Sequence, residues 1–169
     1  NIVKLVSGDP ALAVEDVKLY VIGRKGRDGL ARRGYEVAKD YSEVINEPLY
    51  QDAADLTKEL LEAFGRNEIG EIYLAYTSFK NTVVHIPKLV KLLPFNMEEQ
   101  AGESGENKAQ ALMNYEPNPE EVLDRIIPNY MSSLIYGALL EAVASENGAR
   151  MTAMDSATNN AEEMIGKLE

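Results

Sequence analysis

Apolar residues recur with two periods before about Pro117 and with a single period after it. Val17-Lys18-Leu19-Tyr20-Val21-Ile22 is a short β-rich run ending at Gly23, which predicts a buried strand. A short helix is expected over Asp28–Arg33, stopped by Gly34 where glycine commonly closes a helix. Tyr35–Lys39 reads as a second strand. Ala53, Ala54, Leu56, Leu60, Leu61 and Phe64 then fall at helical spacing, predicting an amphipathic helix of about four turns that ends near Gly65. Ile72, Leu74 and Tyr76 alternate with Tyr73, Ala75 and Thr77, as a strand requires. After a polar turn near Lys80-Asn81, a further strand is expected from Val83 to Leu93, with Pro87 marking an edge or a bulge. Strands alternating with helices argue for a layered α/β sheet. Asn96–Lys108, rich in Glu, Gly, Asn and Gln, reads as a solvated loop.

The second part, 118–169, reads as helix almost throughout. Asn118-Pro119-Glu120-Glu121 is a start signal, with Asn as the cap, Pro at the first helical position and Glu121 as the capping-box partner. Leu123, Ile127, Tyr130 and Leu134 continue the period, and Pro128 within it is expected to kink the chain or restart the helix. No proline follows, and a helix from Pro128 to Glu169 would span about 63 Å at ~1.5 Å per residue. Met154, Ala157, Ala161, Met164 and Leu168 are spaced three, four, three and four, the pattern of a coiled-coil seam. Its small and flexible residues suit a close partner helix. No other helix of that length is expected in the chain, so this face should be exposed. Asn1–Val6 reads as the tail of a helix, and the partner is expected to precede it.

Composition narrows the classes. The chain has 169 residues, 45% hydrophobic and 27% charged, which is ordinary for a globular protein. A net charge of −11 argues against binding duplex nucleic acid, which needs clustered Lys and Arg. Without cysteine there is no disulfide framework, thiolate zinc site or Cys nucleophile. The longest apolar stretch, Leu134–Leu140, is too short to cross a bilayer, so membrane association is expected only through partners.

Candidate chemistry is sparse. Gly23, Gly26 and Gly29 follow a strand, but their G-x-x-G-x-x-G spacing is neither the dinucleotide fingerprint nor a P-loop. A strand-to-helix turn is the better reading, and no cofactor or metal is expected. Arg24, Lys25, Arg27, Arg32 and Arg33 form a basic cluster that could meet a phosphate or an acidic partner, or could simply be solvated. His85, the single histidine, lies on an expected strand with no neighbouring carboxylate. Glu98-Glu99 and Glu162-Glu163 read as solvating charges, and no G-x-S-x-G elbow accompanies the serines. No catalytic set emerges.

The stretch Ala144-Ser145-Glu146-Asn147-Gly148-Ala149-Arg150-Met151-Thr152-Ala153-Met154-Asp155-Ser156-Ala157-Thr158-Asn159-Asn160-Ala161 closely resembles the A-S-E-x-x-A-R-M-x-A-M-x-x-A-T-x-N-A signature of F-type ATP synthase gamma subunits. Val21-Ile22-Gly23-Arg24-Lys25-Gly26 is similar to that family's V-I-G-R-K-G. Tyr76–Phe79 with Leu92-Leu93-Pro94 resembles its central hairpin, and Tyr130–Glu141 its approach to the signature helix. Asn147 and Gly148 stand where His and Ala are common in the family. The resemblance covers essentially the whole chain. It implies a long helix and a glycine-rich strand ahead of Asn1, and more helix beyond Glu169.

The resemblance implies a Rossmann-like three-layer α/β domain over 1–117 that binds no nucleotide. It implies that 118–169 leads into an antiparallel coiled coil. The implied role is the central-stalk rotor of a proton-translocating ATP synthase, a non-catalytic subunit passing torque between the membrane ring and the catalytic hexamer and regulating ATPase activity and proton flow. The implied partners are the alpha, beta and epsilon subunits and the membrane c-ring, with no nucleic acid, on the cytoplasmic face of a bacterial cell membrane. Absence of cysteine argues against the chloroplast form. Glu146, Arg150, Met151 and Asn160 are the expected partner contacts. The alternatives are a nucleotide-binding α/β enzyme, which lacks its glycine fingerprint, and a free-standing coiled-coil protein, which leaves the α/β part unexplained.

Overall fold

The structure is a computed structural model that describes residues 2–9, 12–94 and 119–168, with side chains from 125 onward in the last span. The loop expected over Asn96–Lys108, the pair Glu98-Glu99, the Asn118 cap, and the side chains of Glu121 and Leu123 lie outside the described residues. The elements in chain order are α1 (Ile2–Gly8), β1 (Lys18–Val21), α2 (Arg24–Ala31), β2 (Glu36–Asp40), α3 (Tyr50–Gly65), β3 (Ile72–Phe79), β4 (His85–Leu93) and α4 (Pro119–Leu168), with one 3-10 turn at Val44–Asn46. The fold is therefore mixed α/β with a long C-terminal helix.

The described strands form two separate two-stranded sheets, β1 with β2 and β3 with β4. β1 and β2 run parallel, with α2 as the crossover that parallel neighbours require. Lys18 and Leu19 face Glu36 and Val37, while Tyr20 and Val21 face Lys39 and Asp40. Ala38 is the extra residue, which makes a bulge on β2. β3 and β4 are joined by residues 80–84, a link short enough only for an antiparallel hairpin. Pro87 sits in β4, where a two-stranded sheet leaves an edge free of ladder demands.

α2 begins at Arg24, four residues before the expected start, so Gly26 and Gly29 lie inside the helix and only Gly23 belongs to the turn. Its end is the expected one. Gly34, at φ +91°, donates its N–H to Ala31 O at 3.0 Å, and Tyr35 N–H reaches Leu30 O at 3.3 Å. This Schellman closure needs a left-handed residue, and glycine adopts that conformation without a Cβ penalty. α3 closes in the same way, but on Asn67 at φ 55° rather than on Gly65. At its start, Asp52 accepts the Leu49 N–H at 3.0 Å, half of a capping box.

The chain divides into two compact units, residues 1–48, 75–89 and 137–169 in one, 49–74 and 90–136 in the other. The first is cored by Val6, Leu12, Val21, Leu30, Tyr35, Ala138 and Leu139, with Tyr35 Oη donating to Leu12 O at 3.1 Å. The second is cored by Ala53, Leu56, Leu60, Ala63, Ile72, Leu92, Leu93, Met131 and Ile135. Tyr50 and Tyr136 pack edge to face there, with ring centroids 5.8 Å apart. α4 runs unbroken through Pro128, so the helix does not restart at that residue.

Candidate functional site

Two regions of the first unit carry the residues of interest. One is a polar hollow where β2 ends and α2 begins, lined by Arg24, Arg27, Asp40, Tyr41, Ser42 and Glu43. Arg27 Nη1 donates to Asp40 Oδ2 at 2.6 Å and its Nε to Asp28 Oδ1 at 2.9 Å. Asp40 also accepts from the Ser42 hydroxyl and from the Ser42 N–H. The Ser42 hydroxyl, and then the guanidinium, hold the Asp40 carboxyl below the usual carboxylate range. Asp40, and then Asp28, push the Arg27 guanidinium up. The hollow is thus lined by an internal ion-pair network that ties α2 to β2. Of the basic cluster, Arg33 donates to Gly29 O at 3.2 Å. Arg24, Lys25 and Arg32 are exposed.

The other region is the second half of α4. The β3–β4 hairpin meets it along one face. Phe79 N–H donates to Glu141 Oε2 at 3.0 Å, and Ser145 Oγ donates to Thr77 O at 3.5 Å. Thr152 Oγ1 lies 3.2 Å from Thr82 O and 3.1 Å from Gly148 O. Between them, a Cβ placed on Gly148 would stand 3.2 Å from Phe79 Cε2, 3.3 Å from Thr82 Cα and 3.6 Å from His85 Cε1. Glycine is the residue that lets the hairpin backbone come this close. His85 heads β4 against Phe79, with ring centroids 6.0 Å apart, and its Nδ1 is buried without a partner.

The residues expected to meet partners lie further round and further along. Every residue from Ala149 to Leu168 is exposed, including Met154, Ala157, Ala161, Met164 and Leu168 of the expected seam. The helix remains intact to Leu168. At about 100° per residue, Glu141, Ser145, Gly148 and Thr152 share one face, and the seam falls about 170° round from it. Glu146 and Arg150 fall in line with the seam on that opposite face, with Met151 and Asn160 on its flanks. Arg150 Nη2 binds Glu146 Oε1 at 2.6 Å, and its Nη1 lies 3.5 Å from Asn147 Oδ1. Glu163, expected to be a solvating charge without a basic partner, pairs with Lys167 one turn on at 2.6 Å.

The hairpin-facing set Glu141, Ser145, Gly148 and Thr152 was not foreseen from the sequence. Its 4-3-4 spacing of small and polar residues is the available signal, but it says nothing of what covers them. Among the described residues no group of His, Cys, Asp and Glu could hold a metal ion. No described helix is long and apolar enough to cross a membrane.

Comparison with known proteins identifies the family. A sequence model of the ATP synthase family matches residues 1–169. The ATP synthase gamma chain of Lachnoclostridium phytofermentans is 61% identical, covering 99% of this chain and 59% of that one. The gamma chain of Alkaliphilus metalliredigens is 42% identical over 92% of this chain and 54% of its own. A gamma chain of Acetobacterium woodii described as sodium ion specific is 38% identical over 99% of this chain and 60% of its own. The chain thus spans less than two thirds of the length of these relatives. Among solved structures, a chain from the central stalk and c-ring of the Tetrahymena thermophila mitochondrial ATP synthase has the same fold, with a TM-score of 0.60 over 93% of this chain and 66% of that one, at 24% identity. From residues 1 to 169, this chain belongs to the ATP synthase gamma-chain family.

Proposed function

We propose that this chain is part of the central-stalk rotor of an F-type ATP synthase, a non-catalytic subunit that carries torque between a membrane ring and a catalytic hexamer and so regulates ATPase activity and ion flow. The observation that carries the reading is α4. One of its faces is held by the hairpin, and the opposite face, from Glu146 to Leu168, is exposed as a continuous stripe. A stripe of Met and Ala, preceded in line by a charged pair and flanked by Met151 and Asn160, fits a helix that packs on a second helix along the stripe and presents groups before and beside it to surrounding subunits. In this reading Met154, Ala157, Ala161, Met164 and Leu168 are the seam of an antiparallel coiled coil. Glu146, Arg150, Met151 and Asn160 touch the alpha and beta subunits.

Residues 1–117 are then the globular head, of Rossmann-like three-layer type, lying beside epsilon and the c-ring. Residues 118–169 lead into the shaft. The parallel β1–α2–β2 crossover supports that layering. The complex sits on the cytoplasmic face of the bacterial cell membrane, and the coupled ion is the proton. The mechanism is a bias of populations: as the asymmetric shaft turns, each catalytic subunit meets a different face and shifts toward the conformation that face favours.

The test is complementation. The full-length chain is assembled with the other subunits of its own ATP synthase, membrane ring included, from which the gamma chain has been removed. ATP-driven ion transport into vesicles is then followed in sodium-free and sodium-containing medium. Restored transport is expected without sodium. Normal assembly with no transport sinks the rotor reading, and transport only with sodium sinks the proton.

A further inference from the structure

We infer that the end of the β3–β4 hairpin is a strap that clamps α4 across Glu141, Ser145, Gly148 and Thr152, and that Gly148 sets how closely it grips. The strap makes Thr152 the root from which the exposed helix is driven. This inference rests on the rotor reading for its functional half, and on packing alone for its structural half.

Four contacts of different kinds fall on one helical face. Glu141 accepts the Phe79 amide at 3.0 Å, so the last amide of β3 is turned toward the helix. Ser145, buried, reaches Thr77 O, and Thr152 reaches Thr82 O. Gly148 lies between them, where hairpin backbone and two aromatic rings leave no comfortable space for a side chain. From Glu141 to Thr152 the clamp covers about 16 Å of helix at ~1.5 Å per residue. The orphaned His85 Nδ1 lies at the same contact. Beyond Thr152 nothing holds the helix among the described residues, and about 24 Å of it runs exposed to Leu168.

A rod driven from one end must be gripped there on more than one side of a single contact, or it rolls. Hydrogen bonds to the end of β3 and to the turn after it, spread over three turns of one face, oppose rolling in a way that a single apolar contact cannot. The grip leaves the opposite face free, where the seam and the Glu146–Arg150 pair lie. The strap and a partner helix can therefore hold α4 at the same time.

The experiment uses the full-length chain assembled in a complete synthase, with hydrogen exchange at the Phe79 amide as the structural readout. Ions transported per ATP hydrolysed is the functional one. Gly148→Leu should force the hairpin off the helix. Exchange at Phe79 should then quicken about tenfold, the scale of one lost grip on a charged acceptor, and transport per ATP should fall while hydrolysis continues. Gly148→Ala needs only a few tenths of an ångström of give and should leave both readouts near wild type. An assembled Gly148→Leu complex with unchanged Phe79 exchange, or with faster exchange and full transport per ATP, overturns the strap. If Gly148→Leu does not assemble, Thr152→Val removes the hydroxyl bonded to Thr82 O at almost constant volume and is read identically. Unchanged exchange and transport in that variant overturn the inference. A wild-type complex that transports no ions refutes the rotor reading instead, and the exchange measurement still decides the strap.

Discussion

Replacing Arg150 with alanine separates a folding role from a partner role, because the structure limits how much folding energy the residue can carry. Its side chain is 62% exposed, and its one close partner, Glu146, is 55% exposed. The pair is spaced i,i+4 with the acid on the N-terminal side, the better orientation on a helix. Such pairs contribute about 0.3–0.5 kcal/mol. The Asn147 contact at 3.5 Å adds little. For a chain of this size that shifts the thermal midpoint by no more than about 2 °C. A charge-assisted bond from the same guanidinium to a subunit carboxylate would be worth roughly 1.5–3 kcal/mol. If made at only some rotor angles, it changes relative state populations by about tenfold to a hundredfold. Arg150→Ala should therefore leave the melting curve of the full-length chain almost unmoved, and should lower ATP-driven ion transport or hydrolysis in an assembled complex. Assembly is checked by gel filtration. Glu146→Gln is the control, since it frees Arg150 without removing it. Normal rates of both activities in assembled Arg150→Ala complexes would show that the residue only solvates the helix. A midpoint drop well beyond about 2 °C would show that Arg150 contributes to folding beyond its pair with Glu146.

Three further outcomes are expected. Met131→Ala empties a site that is 1% exposed and should destabilise the fold by about 2–5 kcal/mol in denaturant titration. Gly34→Ala should cost about 1–2 kcal/mol because of φ +91° alone, since the added Cβ would stand 3.5 Å from Val14 Cγ1, an ordinary contact. The Asp40 carboxyl is depressed by the Ser42 hydroxyl and by Arg27, and Glu71 by Lys91 and then the Tyr73 hydroxyl. Depressed acids stabilise the fold above their ordinary values and lose that contribution as pH falls through the lower folded values. Melting midpoints should thus decline in that acid range, and Asp40→Asn should flatten part of the decline.

Much of the fold was legible because it rests on local signals. The spacing of Ala53, Leu56 and Leu60 reports the buried side of α3, and Gly34 reports a helix stop that only a left-handed residue completes. The early start of α2 was not legible. Two cations oppose the helix dipole at Arg24 and Lys25, and Gly26 and Gly29 weaken helix propensity. The helix forms there because the parallel β1–β2 pair needs a crossover, which is a tertiary demand. Strand partners were likewise hidden: alternation identified four strands but not their pairing into two sheets. At the candidate site, the period of Met154, Ala157, Ala161, Met164 and Leu168 revealed a face, and that face is exposed. That Glu146 and Arg150 lie in line with it needed only helical geometry. The grip on Glu141, Ser145, Gly148 and Thr152 joins residues far apart in sequence, and no periodicity within one helix names the segment that covers it.

The close approach at Gly148 ties two distant positions into one unit of inheritance. A methyl at 148 would stand 3.2 Å from the Phe79 ring and 3.3 Å from the Thr82 backbone, so the tolerance of 148 depends on what occupies 79. Contacting residues of this kind do not combine additively. A larger residue at 148 that is harmless in a relative with a smaller side chain at 79 should be harmful when transplanted alone into this chain. It should become acceptable when both positions are exchanged together. The order in which such changes arise during divergence is thereby constrained, with the ring at 79 having to shrink or turn aside before 148 can grow beyond a methyl.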